Sequence, residues 1–135
     1  MTDDWKTKSD AYWREHLTPQ QYHVLREKGT DRPFSAPDDH GTVKGVYRCS
    51  GCGLELFSSQ TKFDSGSGWP SFGAPIAPDH VTEHVDNSSF MTRTELLCQR
   101  CGGHLGHVFN DGPAPTGQRY CINASSLDLD SKEAP

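Results

Sequence analysis

Two copies of one short motif, Cys49-Ser-Gly-Cys52-Gly and Cys98-Gln-Arg-Cys101-Gly, constrain this chain more than any other feature. Cysteines spaced in this way around a tight turn can point both sulfurs at one ion, so two such turns supply a full tetrahedron of thiolates at ~2.3 Å. The glycine after each second cysteine, Gly53 or Gly102, suits the positive φ such a turn requires. A closed four-sulfur site is usually structural, because a catalytic zinc keeps one position open for water or substrate. Cys49, Cys52, Cys98 and Cys101 are therefore expected to hold one structural Zn2+, with a redox pair as the minor alternative. His104 and His107 follow the second motif closely, but four thiolates already fill the tetrahedron and leave both histidines for other work. Such an ion joins segments far apart in sequence, so its removal should destabilise the domain.

The remaining composition narrows the class. A chain of 135 residues supports one core, and 13 Gly and 9 Pro point to many turns and short strands. With 13 Lys+Arg against 18 Asp+Glu, the net charge of -5 works against a phosphate-binding surface, so no nucleic-acid partner is expected. No apolar run approaches the ~18 residues of a membrane span, and the first residues lack the basic and apolar regions of a signal peptide. The expectation is a soluble, cytoplasmic monomer with no membrane partner. A reducing compartment keeps thiols free, which fits an odd number of cysteines.

One domain over 1–135 is expected, with a helical lead-in over 1–40, a β core over 42–129 and a tail over 130–135. The lead-in holds a helix near Asp10 to Leu17 and a clearer one opened by Thr18-Pro19-Gln20-Gln21, a capping box with proline at the first position, and stopped at Gly29. Tyr22 and Leu25 share a face that can dock on a core, and Asp31 to Pro37 reads as an extended linker. Strands are expected at Val43–Arg48, Leu54–Phe57, Val81–Val85, Ser89–Leu97, Leu105–Phe109, Gln118–Ile122 and Ser125–Leu129. The long run alternates only partly and puts Arg93 and Glu95 on one face. His16, His23, His40, His80 and His84 read as ordinary histidines, and Trp5 and Trp13 as packing residues.

Cys121 is the cysteine the metal set leaves over. In a strand it shares a face with Arg119 and Asn123, while Tyr120, Ile122 and Ala124 face the core. A lone cysteine in a strand is usually a small buried hydrophobe, but an arginine on the same face can stabilise a thiolate and a nearby histidine can protonate a substrate. Nucleophilic thiol chemistry fits; the residues alone leave the reaction open.

Gly-Ser-Gly-Trp69-Pro-Ser-Phe72, His104-Leu-Gly-His107-Val-Phe109-Asn-Asp111-Gly-Pro and Gly117-Gln-Arg119-Tyr-Cys121-Ile-Asn123, in this order with both cysteine motifs, resemble the methionine-R-sulfoxide reductases of the B type. The resemblance runs from about Leu17 to Leu129. It implies a mainly β fold of two antiparallel sheets packed at an angle, a β-tent, with short N-terminal helices and a structural zinc. It also implies reduction of methionine-R-sulfoxide in oxidised proteins or peptides. Cys121 would attack the sulfoxide sulfur, and Trp69 would hold the S-methyl group. His104, His107 and Asn123 would bind and polarise the sulfoxide oxygen, Arg119 and Asp111 would shape the pocket and its charge, and Phe109 would add apolar lining. Many relatives carry a resolving cysteine where this chain has Ser67, so the sulfenic acid on Cys121 should need an external thiol, thioredoxin or glutathione with glutaredoxin. The rival reading is a zinc-ribbon binding module without catalysis, which the acidic balance and the fifth cysteine disfavour.

Overall fold

The structure, a computed structural model, describes residues 5–32, 44–63, 65–87 and 92–130. Helix α1 (Asp10–His16) opens on Ser9, whose hydroxyl accepts from the Tyr12 N–H. Helix α2 (Pro19–Glu27) opens on the expected capping box: Thr18 accepts from the Gln21 N–H, and Gln21 accepts from the Thr18 N–H. It ends on Lys28 at φ 57. A Cβ at Gly29 would lie 2.2 Å from the His23 ring, so a larger residue there would have to displace that exposed side chain. On the docking face Leu25 is buried, Val24 is buried more deeply and Tyr22 only partly.

Nine strands follow: β1 (Val46–Cys49), β2 (Glu55–Ser58), β3 (Lys62–Phe63), β4 (Ser71–Phe72), β5 (Val81–Asp86), β6 (Arg93–Cys98), β7 (His104–Phe109), β8 (Arg119–Ile122) and β9 (Leu127–Asp130). They form two antiparallel sheets, ordered β2-β1-β9 and β3-β4-β8-β7-β6-β5. The mainly β expectation holds, with corrections in detail. β3 and β4 are additions to the expected strands, because strands of two residues carry no readable alternation. The expected strand at Ser125 starts later, since Ala124–Ser126 is a 3-10 turn, and it runs on to Asp130. β1 begins at Val46; its expected start at Val43, the linker beyond Arg32, His40, the tail beyond Asp130 and 88–91 of the long run lie outside the described residues.

The two sheets meet through aromatic side chains. Phe57 stacks on Phe72 at 4.5 Å between ring centres, while Tyr47 approaches Phe72 edge-on at 5.1 Å and Tyr120 lies 5.9 Å from Phe57. Leu56, Leu96, Leu105 and Ile122 complete a core sealed from water. Trp13 is buried as expected, against Leu25 and the first cysteine turn.

The register of β6, β7 and β8 decides which residues meet. Leu96 pairs with Gly106 and Leu97 with His104, so Leu105 is an extra residue on β7, a bulge. Without it, residues three apart would face opposite ways; with it, His104 and His107 come to the same face. Gly106 sits against β8 so closely that a Cβ would lie 2.0 Å from the Cys121 carbonyl oxygen. Gly106→Ala must therefore push β7 from β8. A loss of at least about 2 kcal/mol is expected, seen as a lower denaturation midpoint at unchanged m-value.

Candidate active site and metal centre

The four knuckle cysteines are buried, and their sulfurs lie within 4.8 Å of one another. Cys49 and Cys101 sulfurs are 3.7 Å apart, those of Cys52 and Cys98 3.5 Å. A tetrahedron with ~2.3 Å metal–sulfur bonds has edges of about 3.8 Å, so this set can hold a metal ion. Gly53 at φ 82 and Gly102 at φ 76 close the two turns, as their positions required. Arg26 donates to the Cys101 carbonyl at 3.1 Å and Arg100 to the Cys52 carbonyl at 3.2 Å, which brings positive charge against a cluster of thiolates. The first knuckle belongs to the small sheet and the second to the large one, so an ion here ties the sheets together.

Across the large sheet, directly opposed residues share a face. Ser71, Cys121, His107, Glu95 and His84 therefore form one polar row over five strands. The adjoining row on the other face, Phe72, Tyr120 and Val108, packs into the core. The division between a chemical and a core face of β8, expected from alternation alone, is present.

A cavity of about 310 Å³ opens on the chemical face, and Ser67, Trp69, His107, Phe109, Arg119, Cys121 and Asn123 line it together with Thr30 and Arg93. Ser67 Oγ lies 3.7 Å from Cys121 Sγ and 2.7 Å from Ser65 Oγ. Gly66 at φ 75 and Gly68 at φ 88 fold the loop that carries it, conformations open to glycine at no steric cost. Arg119 grips both Asp111 oxygens, at 2.8 and 3.2 Å, and stacks 4.4 Å over the Phe109 ring. That pairing lowers the Asp111 carboxyl and raises the Arg119 guanidinium, which the neighbouring Cys121 sulfur raises further.

Two expected site residues stand off the cavity wall. Asp111 is exposed and is linked to the site through Arg119. His104 is buried behind His107, with ring centres 5.7 Å apart, and its Nδ1 donates to the buried Glu95 at 2.7 Å. Burial pushes the His104 imidazole down, against the upward pull of Glu95. Asn123 lines the cavity, but its amide is committed: Oδ1 accepts from the Asp31 N–H at 2.8 Å and Nδ2 donates to the Leu105 carbonyl at 3.1 Å.

Sequence reasoning missed the residues behind this wall. Asp86 accepts from His107 Nε2 at 3.0 Å and from Arg93 at 3.4 Å, and Lys28 reaches Glu95 at 3.3 Å. The one available signal was the pair of charges, Arg93 and Glu95, on one face of a strand. Asp31, assigned to a linker, is 3 % exposed and tied to segments ninety residues onward, which no local pattern reveals.

The comparisons with known proteins agree with this architecture. Residues 17–131 match the SelR domain. A protein from Agrobacterium fabrum named peptide methionine sulfoxide reductase MsrB is 59% identical over 127 residues, 94% of this chain and 94% of its own length. Proteins of the same name from Methanosarcina mazei and Bradyrhizobium diazoefficiens are 60% and 57% identical, covering 93% and 97% of this chain and 90% and 94% of their own lengths. Matched across nearly the whole of such relatives, with a free thiol on a cavity wall and a four-cysteine centre, the chain belongs to the MsrB family of methionine sulfoxide reductases, as an oxidoreductase.

Proposed function

We infer that this protein reduces methionine-R-sulfoxide, mainly in oxidised proteins and peptides, by attack of Cys121 on the sulfoxide sulfur. The observation that supports it most is the placement of the Cys121 thiol on a cavity wall, directly opposite His107 and alongside Trp69. Trp69 provides an aromatic wall for the S-methyl group, Phe109 adds apolar lining, and Arg119, backed by Asp111, brings positive charge to the side of the thiolate.

In the first step the Cys121 thiolate bonds to the sulfoxide sulfur while the oxygen takes a proton from His107, directly or through water. His107 Nε2 is held by Asp86, which leaves Nδ1 to face the substrate. The hydroxyl then passes to Cys121 as the substrate's sulfur–oxygen bond and the new sulfur–sulfur bond both break, and methionine leaves. The substrate sulfur gains two electrons, and Cys121 becomes a sulfenic acid. Asn123 contributes to the polar side of the pocket from its wall, and His104 supports that side from behind His107. One external thiol condenses with the sulfenic acid, releasing water, and a second frees Cys121 as the disulfide of the reductant. Thioredoxin, or glutathione with glutaredoxin, fits this role in the cytoplasm, because Ser67 cannot form the internal disulfide.

Cys49, Cys52, Cys98 and Cys101 fit Zn2+, whose bond lengths match the sulfur spacing. The ion supplies no chemistry to the substrate; it closes the link between the sheets.

Cys121→Ser should lower turnover of R-sulfoxide peptides by on the order of 10³-fold or more while the fold and bound zinc persist, whereas a binding module would be indifferent to it. Intact mass after excess substrate without reductant should show one added oxygen in this chain. In Ser67→Cys it should instead show the loss of two hydrogens; such a loss in the unsubstituted chain refutes the external-thiol reading. Stripping zinc should lower Tm by roughly 10 °C or more, since even about 3 kcal/mol of lost binding has that effect. Lost turnover at an unchanged Tm would contradict a structural role for the metal.

A further inference from the structure

We propose that Asp31 is a positioning residue for this site, one that sets both the Trp69 wall and Asn123 without touching the substrate; the assignment of an effect on turnover rests on the reductase reading above. Its side chain is fully employed. Oδ1 accepts from Gln20 Nε2 at 2.8 Å and from the Ser125 hydroxyl at 2.7 Å, and Oδ2 accepts from the Ser125 N–H at 2.8 Å. These three bonds lock a residue that is 3 % exposed against α2 and the 3-10 turn after β8.

The locked backbone then does the positioning. The Asp31 carbonyl accepts from Trp69 Nε1 at 2.9 Å, and the Asp31 N–H donates to Asn123 Oδ1 at 2.8 Å. Asn123 in turn donates twice to the carbonyl of the bulged Leu105, from its backbone at 2.9 Å and its side chain at 3.1 Å. One residue of the lead-in thus reaches the substrate wall through one bond, and through two more the bulge that turns His104 and His107 to one face. A shift of Asp31 by a fraction of an ångström moves Trp69 relative to Cys121, and such displacements are costly to a reaction that depends on alignment.

The bonding pattern supplies the test. Asp31→Ala removes all three of the bonds that lock the residue. Asp31→Asn replaces them with one accepted and two donated: its amide oxygen stays on the Ser125 N–H, and its NH2 turns toward the Ser125 hydroxyl oxygen and toward Gln20, whose exposed amide turns over to accept through its own oxygen. With a peptide R-sulfoxide, Asp31→Ala should lose about tenfold or more in kcat/KM while retaining its zinc. The Trp69 indole N–H, assigned by Trp69→Phe, should shift in a 15N spectrum and exchange faster with solvent. Asp31→Asn should keep most of both.

Unchanged kcat/KM and indole signal in Asp31→Ala would overturn the proposal. So would a loss of turnover with the indole signal intact, or an Asp31→Asn variant that fares no better than Asp31→Ala. If Asp31→Ala does not fold, Asp31→Glu decides: its longer side chain displaces the backbone at this position, so turnover and the indole signal should change together, and both unchanged would overturn the proposal. If the unsubstituted protein shows no turnover, the reductase reading fails, and the indole signal alone still decides whether Asp31 holds Trp69.

Discussion

Four sulfurs drawn to one point are the constraint on which the rest of this molecule depends. One pair sits on the turn between β1 and β2 in the small sheet, the other on the turn between β6 and β7 in the large one. Four thiolates packed at this spacing would repel one another without a cation to compensate them, so the geometry suits a metal ion. The consequence reaches beyond the cluster. β7 leaves the second knuckle through Gly103, which abuts Cys101 and Leu25, and must recover its pairing with β6 within a few residues. The bulge at Leu105 is where it does so.

That bulge converts a scaffold into a site. Alternation would leave His104 and His107 on opposite faces of β7; the extra residue places them together, above Glu95 and opposite Cys121. The displaced Leu105 side chain fills the core, and its carbonyl is satisfied twice by Asn123, so the bulge does not leave a buried acceptor unpaired. The other face of the same strands carries Phe72, Tyr120, Val108 and Ile122 into the hydrophobic interior. Core packing thus holds the strand backbones rigid while the opposite face presents polar groups to a cavity.

The polar groups of the site are held by partners behind them. Asp86 stands behind His107, Glu95 behind His104, which itself lies behind the wall, Asp111 behind Arg119 and Asp31 behind Trp69 and Asn123. In three of these pairs a carboxylate faces a cation or an imidazole, an arrangement that fixes ring and guanidinium orientation. Asp31 differs, acting through its main chain. The helical lead-in is therefore part of the site, because α2 supplies Gln20 to Asp31 and Lys28, at its end, reaches Glu95.

Features that depend on neighbours in the chain were legible before folding was considered. The spacing of Cys49, Cys52, Cys98 and Cys101 with their glycines defined a metal centre, Thr18 to Gln21 defined a helix start, and alternation along Arg119 to Ile122 separated a chemical face from a core face. In each case the deciding geometry spans at most a turn or a few residues. The remainder came from packing between distant segments. The two-residue strands exist only as partners of other strands, the bulge is set by the register of β6 against β7, and the removal of His104 and Asp111 from the cavity wall follows from that packing. Asp31 is the extreme case: its bonds to Asn123 and Ser125 cross more than ninety residues, and a hydrogen bond leaves no periodic trace in a sequence when its two ends meet only after the sheets have closed.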